Sequence, residues 1–542
     1  MTATPPFSIQ QFLRSLGAMA GLHPDPGKPD FSEHEAAALL RLHGGSQQAL
    51  DQQSWRDLLG RQYFDHLSAG AGIFGKQELY RRLRGGVAAS ARDASVARVK
   101  ALVEDPARRD MLQAACQPLR DARAEAATLL FDDQAVRPAP PWLAYARWLP
   151  LVLVLAVLLM LFAPQSAVQL VSLLTVVPVA LALFGLELHF DTAIQAWNAQ
   201  MTGVFALLAA VGVLGAVDDG ITRRLGALRA DARRIGGKLV RRTWIPSRVV
   251  TELFDFFTLG RVRHYFKQNR VIGRERALLR DMYMESAKAE ADVVLARYLD
   301  GARVYCWADL SGERGLALDG AVHPLIDGAQ PLSLAARGKG VFLTGQNGVG
   351  KSTLLRTVGI NAATARAFGF CHARQAALPE LRIHASIQNE DSLIDGESLY
   401  LSELRRAREL LATRSQLPTL YLIDEIFRGT NYLESVSVAA AFLDSLGGQG
   451  LVIVSSHNGV LGPLLAHNYD AVHVVRDETD GRLMLREGVL ARTNGITLLG
   501  SSGFSGEVQA NAEKVHSWLS QYLAHPTRDV QVLGPAAGNQ AG

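Results

Sequence analysis

Apolar residues are spread unevenly along this chain. Trp148 to Ala163 reads WLPLVLVLAVLLMLFA and Ser166 to Leu186 reads SAVQLVSLLTVVPVALALFGL, and neither run holds a charge. A membrane-spanning helix needs about 20 apolar residues at 1.5 Å rise each. The second run meets that length, and the first reaches it from Trp142 if Arg147 snorkels to the interface. Only Pro164 and Gln165 separate them, so the pattern predicts a tight helical hairpin over 141–188, with Trp142, Tyr145 and Trp148 as interfacial aromatics. The competing interpretation is a pair of buried core helices, but two adjacent uncharged runs of this length are uncommon in soluble domains. A third run, Val204 to Val217, is 14 residues long and stops at Asp218 and Asp219. Its length predicts a buried helix rather than a span.

Outside these runs the spacing changes. Phe31 to Leu42, Ala94 to Val103 and Arg109 to Leu129 carry apolar residues three and four apart, and residues 255–300 read as long charged helices. Between Arg223 and Arg242 eight Lys or Arg face a single acid, Asp231, while Leu225, Leu228, Ala232, Ile235 and Leu239 recur at helical spacing. That is a basic amphipathic helix, suited to anionic headgroups, to nucleic-acid phosphate, or to packing with a solvated charged face. From about Val322 short apolar runs alternate with helical stretches: VFLT at 341–344, LYLI at 420–423, LVIVSS at 451–456 and AVHVV at 471–475. This alternation predicts an α/β domain with a largely parallel sheet. Residues 524–542, rich in Pro, Gly, Ala and Gln, are expected to form a loose tail.

Composition adds little to this picture. A chain of 542 residues, 48% hydrophobic and 20% charged, has room for two to four domains, and a net charge of +4 names no partner. Cys116, Cys306 and Cys371 form no disulfide framework and have no zinc spacing, so a reducing compartment and no disulfide partners are expected. MTATPPFSIQQF has no secretory pattern.

The candidate chemistry lies in the α/β region. After VFLT comes Gly345-Gln346-Asn347-Gly348-Val349-Gly350-Lys351-Ser352, followed by Thr353 and an apolar helical stretch. This is GxxxxGK[ST] between a strand and a helix, where glycines let backbone N–H groups wrap a phosphate and the helix N-terminus adds positive dipole. Lys351 is expected at the β- and γ-phosphates of ATP and Ser352 on Mg²⁺. Seventy-two residues later LYLIDEI puts Asp424 and Glu425 at the end of an apolar strand. Two acids there are costly unless they handle a cation or a proton. Asp424 is read as an Mg²⁺ ligand and Glu425 as the group that polarises the attacking water. His457, just after VIVSS, is placed to meet the γ-phosphate.

Several of these runs together resemble the ATPase domain of the MutS family of DNA mismatch repair proteins. TGQNGVGKST matches the family's GPNxxGKST, and YLIDEIFRGTN matches DEIGRGTS with Phe427 in place of a glycine. NEDSLIDGESLYLSELRRAREL resembles the family's signature segment, which would make Ser398 the signature serine, Tyr400 the aromatic and Glu403 the acid. ARTNGITLLGSSGFSGEVQANAEKV resembles the family's closing SYGIxVAxxAGxPxxVxxRA, and HPLID at 323–327 the start of its domain. More weakly, 54–86, 97–119 and 255–300 resemble parts of the helical core and lever.

The resemblance implies an ATP-hydrolysing homodimer in which two ATPase domains sandwich two nucleotides and each signature segment completes the partner's site. The implied fold is a C-terminal α/β P-loop (ABC-type) ATPase domain behind a mainly α-helical lever interrupted by a transmembrane hairpin. The expected division is 1–47 as an N-terminal helical segment, 48–140 and 189–304 as lever halves, 141–188 as the hairpin, 305–523 as the ATPase domain and 524–542 as the tail. No N-terminal mismatch-recognition module with a Phe-x-Glu wedge is expected. The leading expectation is a membrane-anchored MutS-like ATPase, its ATPase domain on the cytoplasmic side of the inner membrane, with DNA binding implied by the resemblance. The alternatives are an ATP-gated membrane scaffold and a transporter-like ATPase. The second is disfavoured by few apolar runs and by the absence of LSGGQ.

Overall fold

The computed structural model describes residues 31–44, 49–146, 148–162, 166–240, 255, 258–311, 315–387, 399–413, 417–476, 483–490, 494–496, 498–499 and 502–522. Ser398 and the 524–542 tail lie outside them. The chain divides into two units, one holding residues up to Ala36, Gly72–Phe74 and Ala115–Ser286, the other Ala37–Ala71, Gly75–Ala114 and Ala287–Gly542.

The first unit is helical and is dominated by one helix, Ser166–Leu214. Its 49 residues span about 74 Å at 1.5 Å per residue. The two halves of this helix differ. Up to Leu188 most of its large apolar residues face outward, with Leu170 58% exposed and Leu174 67%, while Leu183 is buried. From Ile194 on, Trp197, Met201, Val204, Leu207, Leu208, Val211 and Leu214 are buried at spacings of three and four and make the unit's core. Residues 204–214 of the Val204–Val217 run are therefore largely buried, as expected, but as the end of this long helix and not as a helix of their own, and the chain turns at Gly215–Val217. Close packing requires Gly203, where a Cβ would stand 2.6 Å from the Ala124 carbonyl oxygen. The shorter helix Leu149–Phe162 packs along the exposed half. Helix segments over Leu143–Phe162 and Ser166–Leu214 are both long and apolar enough to cross a membrane, and their most apolar windows are only 12% and 11% buried. A soluble core helix of that composition would be mostly covered.

The basic helix runs over Arg223–Leu239, and its apolar stripe, Leu225, Leu228, Ala232, Ile235 and Leu239, is wholly buried. Arg234 and Lys238 reach Glu275 at 2.6 and 2.9 Å, and Arg224 reaches Asp281 at 3.2 Å. Of the three interpretations of this segment, the geometry matches a packed helix with a solvated charged face. A 41-residue helix, Gly260–Asp300, completes the unit with its residues up to Ser286 and continues into the second unit from Ala287. Trp197 Nε1 donates to Gln268 Oε1 (2.9 Å), whose amide donates to the Leu239 carbonyl (3.1 Å), so three helices share one buried polar link. At the level where outward apolar residues give way to core ones, Arg261 pairs with Asp191 at 2.7 Å, and Trp142 stacks on Phe190, whose ring meets Phe266 edge-on, in an aromatic row.

The second unit is built on a six-stranded sheet. Its strands lie in the order Leu483–Glu487, Tyr469–Arg476, Gly340–Gly345, Leu451–Ser455, Thr419–Asp424, Arg382–Ser386. All neighbours are parallel except the first pair. Gly340–Gly345 and Thr419–Asp424 are buried along their whole length, which is why their sequences read as continuous rather than alternating apolar runs. Helix Lys351–Phe368 packs on the sheet, and a three-stranded antiparallel sheet (Leu332–Ala336, Leu316–Ala321, Gln375–Ala377) adjoins it.

The segment expected as one lever half, 48–140, is divided between the units. Polar contacts explain the division. Asp51 caps helix Gln52–Asp57 by accepting from Ser54 N, Ser54 Oγ accepts from Ala385 N, and Asp57 accepts from Ile387 N, each at 2.8 Å. These bonds fasten that helix to the outer strand Arg382–Ser386. Further on, Arg82 bridges Glu78 (2.7 Å) and Asp292 (2.8 Å) in a fully buried cluster that Arg98 completes at 2.6 Å. Burial would raise the Glu78 carboxyl, but Arg82 and Arg81 bring it down to about 2. Arg366, buried on the Lys351–Phe368 helix, donates to the Leu83 carbonyl at 2.8 Å. Residues 75–114 thus belong to the sheet unit, where buried charges such as Arg82 find their partners.

Candidate functional site

Four segments meet at one end of the parallel strands. The strand Gly340–Gly345 ends in the Gly345–Ser352 loop, and Lys351 begins the helix behind it. Gly348 (φ +73°) and Gly350 (φ +107°) take left-handed conformations that an L side chain would strain. Gly350 is the helix N-cap, so the loop turns its backbone around the helix N-terminus. Lys351 folds back, and its ammonium donates to the carbonyls of Gly345 and Gln346 at 3.1 Å. Burial lowers the pKa of this ammonium, while Glu425 and Asp424 oppose the shift. Asn347 N donates to Asn494 Oδ1 at 2.9 Å, holding the loop from outside.

The second segment is the end of strand Thr419–Asp424. Asp424, nearly buried, accepts from the hydroxyl of Ser352 with one oxygen and from that of Ser455 with the other. Carboxylate and hydroxyl oxygens of this kind are the hard donors that Mg²⁺ takes. Glu425 and Phe427 follow with φ of +47° and +60°, two non-glycine residues in left-handed conformations. Such strain costs about 1–3 kcal/mol per residue and persists only where the surroundings impose it. Here Glu425 N donates to Ser455 O at 3.0 Å, and its side chain meets His457 Nε2 at 2.5 Å and Arg428 at 3.2 Å. The His457 hydrogen bond holds the Glu425 carboxyl below the usual carboxylate range, against burial and helped by the charges of His457, Arg428 and Lys351. Phe427 is buried against Tyr400 and Phe442, at ring distances of 6.3 and 5.8 Å.

The expected residues are therefore brought together, with one separate group. Lys351, Ser352, Asp424, Glu425 and His457 converge. Tyr400 and the buried Glu403, expected to complete a partner's site, lie on helix Leu399–Ala412 and contact their own chain. Tyr400 packs on Phe427, and Glu403 accepts from Gly429 N at 3.4 Å. Sequence reasoning missed Ser455 and Asn494. Ser455 stands in the legible run LVIVSS, but its register against Asp424 shows only in the structure, and Asn494 carries no local signal.

The chemistry this arrangement can perform is specific. A glycine-containing loop at a helix N-terminus, a lysine and a hydroxyl–carboxylate pair suit a polyphosphate with a divalent cation, and a carboxylate kept ionised beside a histidine can accept a proton. Residues 341–520 match the family model for MutS domain V. By that match, residues 341–520 of this chain are similar to a domain of the MutS family. The DNA mismatch repair protein MutS of Geobacillus thermodenitrificans (strain NG80-2) is 27% identical over 277 residues, covering 48% of this chain and 30% of the relative. MutS of Pseudothermotoga lettingae (strain ATCC BAA-301 / DSM 14385 / NBRC 107922 / TMO) is 29% identical over 227 residues, covering 39% and 28%. The chain thus spans under a third of the length of these MutS relatives. Phe427, which replaces the glycine of the MutS motif, sits at a backbone conformation that glycine adopts freely. The MutS wedge pattern Phe-x-Glu, not expected here, does occur as Phe31-Ser32-Glu33. Phe31 is buried, and Ser32 and Glu35 cap each other reciprocally (Glu35 N to Ser32 Oγ 3.3 Å, Ser32 N to Glu35 Oε2 2.9 Å), so the triplet begins a helix.

Proposed function

We propose that this chain is a membrane-anchored MutS-like ATPase that works as a homodimer. The observation that carries the reading is the convergence of Lys351, Ser352, Asp424, Glu425 and His457 on the Gly345–Ser352 loop. In this reading the N–H groups of 345–352 and the Thr353 end of the helix receive the phosphates of ATP. Lys351 leaves its loop carbonyls for the β- and γ-phosphate oxygens. Ser352 and Asp424 would hold Mg²⁺, which neutralises charge developing on the phosphates. Glu425, kept ionised, accepts the proton of the attacking water at its carboxylate, while His457 orients that carboxylate from the other side. Glu425→Gln is expected to retain nucleotide and to lose about 10²–10⁴-fold in turnover. Normal turnover in that variant would overturn the assignment. Ser398 is the group assigned to the partner's nucleotide, so mixing Ser398→Ala with Lys351→Ala protomers should restore one working site.

The apolar helices over 143–188 are assigned to the bilayer, with the ATPase domain on the cytoplasmic side. Support comes from their outward-facing side chains and from the aromatic row and Arg261–Asp191 pair at their end. Contact with DNA is the second part of the reading. Arg263, Lys267, Arg270 and Arg274 form one exposed stripe on helix Gly260–Asp300, and none of the four is ion-paired among the described residues. Spacings of four, three and four residues place them along about 16 Å of helix. ATP turnover in detergent, with and without duplex DNA at two salt concentrations, tests this. Stimulation should fade with salt, and each stripe residue changed to Gln should reduce the log–log salt slope by about 0.9. Turnover indifferent to DNA would favour the membrane-scaffold alternative.

A further inference from the structure

Two of the three cysteines lie directly opposite each other. Strand Cys306–Trp307 pairs antiparallel with Phe370–Cys371, and the register sets Cys306 against Cys371 and Trp307 against Phe370. The Trp307 and Phe370 rings, 6.5 Å apart, lie on the other face of the pair. Residues opposite each other in an antiparallel pair have Cα atoms about 4.5–5.5 Å apart and side chains on one face. A disulfide needs Cα atoms about 4.4–6.8 Å apart. Both cysteines are free thiols here. Cys371 is buried, its Sγ 3.4 Å from the Asn361 carbonyl oxygen. Cys306 is half-buried and lines an open cavity of about 740 Å³ between the two small sheets.

We propose that Cys306 and Cys371 form a reversible thiol–disulfide site that takes small disulfides of the glutathione class. The accessible Cys306 thiolate attacks one sulfur of RSSR, forming a mixed disulfide and releasing one RS⁻. Cys371, as its thiolate, then attacks Cys306 Sγ, closing the Cys306–Cys371 bond and releasing the second RS⁻. The two protein thiols lose two electrons to RSSR, and their protons pass through solvent to the released thiolates. Burial raises the pKa of both thiols, so oxidation is slow near neutral pH and faster in alkali.

The position of the bond gives it consequence. Cys306 follows the end of helix Gly260–Asp300 by six residues, and Cys371 follows the end of helix Lys351–Phe368 by three. Asn361, within the latter helix, receives the Cys371 S–H and also accepts from His372 N at 2.6 Å. A disulfide here ties the exit of the long helix to the far end of the helix that Lys351 begins. It therefore restrains motion between them without touching the nucleotide loop. A restraint on turnover rests on the proposed ATPase activity; the cross-link itself does not.

The full-length protein in neutral detergent is incubated with oxidised glutathione at about pH 8.5, denatured, and titrated for thiols. The count is expected to fall from three to one, and non-reducing peptide mapping should join the Cys306 and Cys371 peptides. Dithiothreitol should return the count to three. Cys371→Ala should stop at a glutathione adduct on Cys306, and Cys306→Ser should leave Cys371 unmodified. Three persistent thiols in the wild type, or a bond from Cys306 to Cys116 or to a second molecule, would overturn the site. Because the wild-type map decides the matter, a variant that fails to fold leaves the test intact. Turnover is measured on oxidised and re-reduced protein. A mapped bond in protein with no turnover would count against the ATPase reading and leave the site standing.

Discussion

Around Asp424, carboxylate, hydroxyl and ammonium groups lie inside the protein; along 149–188, leucines and valines lie outside it. Both arrangements are costly in water, for opposite reasons. The buried polar groups are held by one another, as Asp424 is by Ser352 and Ser455. The exposed apolar residues have no such mutual remedy, because packing one pair leaves the rest of each helix facing out. A polar cluster can be stable within a single chain and still be poised for a ligand. An apolar surface of this extent calls for a cover outside the chain, which the proposed function takes to be the bilayer.

The strongest test of this contrast lies within one helix. Leu207→Ala is expected to cost about 2–5 kcal/mol of unfolding free energy in detergent, because Leu207 is core. Leu174→Ala should change it by no more than about 0.5 kcal/mol. Equal losses would erase the distinction between the halves. Leu174→Arg should instead weaken membrane insertion by about 2.5–3.5 kcal/mol, read as the fraction resisting carbonate extraction, while turnover in detergent is kept. On the buried polar side, Glu78 sharpens the comparison. Its folded-state pKa of about 2 lies below its ordinary 4.5. Its stabilisation is therefore complete above pH 4.5 and is lost as pH falls toward 2. The change is on the order of 3 kcal/mol, and Glu78→Gln should flatten that part of an acid titration. A smaller net effect than at Glu78 is expected at Phe427. Changing it to the glycine of the MutS motif relieves about 1–2 kcal/mol of backbone strain but removes a buried ring worth about 3–5 kcal/mol. Phe427→Gly should thus cost about 2 kcal/mol, measured by thermal unfolding, and a gain in stability would show that the ring is poorly packed.

The sheet strands were legible because each is a near-continuous apolar run. VFLT, LYLI and AVHVV fall within Gly340–Gly345, Thr419–Asp424 and Tyr469–Arg476, and LVIVSS overruns Leu451–Ser455 by one residue, so each run matches its strand to within two residues at either end. The loop and the acidic pair were legible because their chemistry dictates order and spacing. What escaped was set by contacts distant in sequence. Residues 75–114 look like any charged helices, and contacts distant in sequence, such as the Arg82–Asp292 pair 210 residues apart, assign them to the sheet unit. Asn494 reaches back 147 residues to Asn347. The three thiols looked scattered because strand register, which places Cys306 against Cys371, cannot be read from spacing. The basic run 223–242 was ambiguous because amphipathicity does not reveal what covers the apolar stripe.

The unbroken helix Ser166–Leu214 also sets a rule for how this protein can tolerate changes in length. Its outward-facing half and its core half share one continuous screw with no loop between them to absorb a mismatch. Adding one residue between Leu188 and Ile194 would turn every apolar position beyond it by about 100° relative to those before it. Adding seven would bring the two faces back to within about 20° of their original phase. Insertions at this point should therefore be accepted in a pattern that follows the helical repeat, and not in proportion to their size.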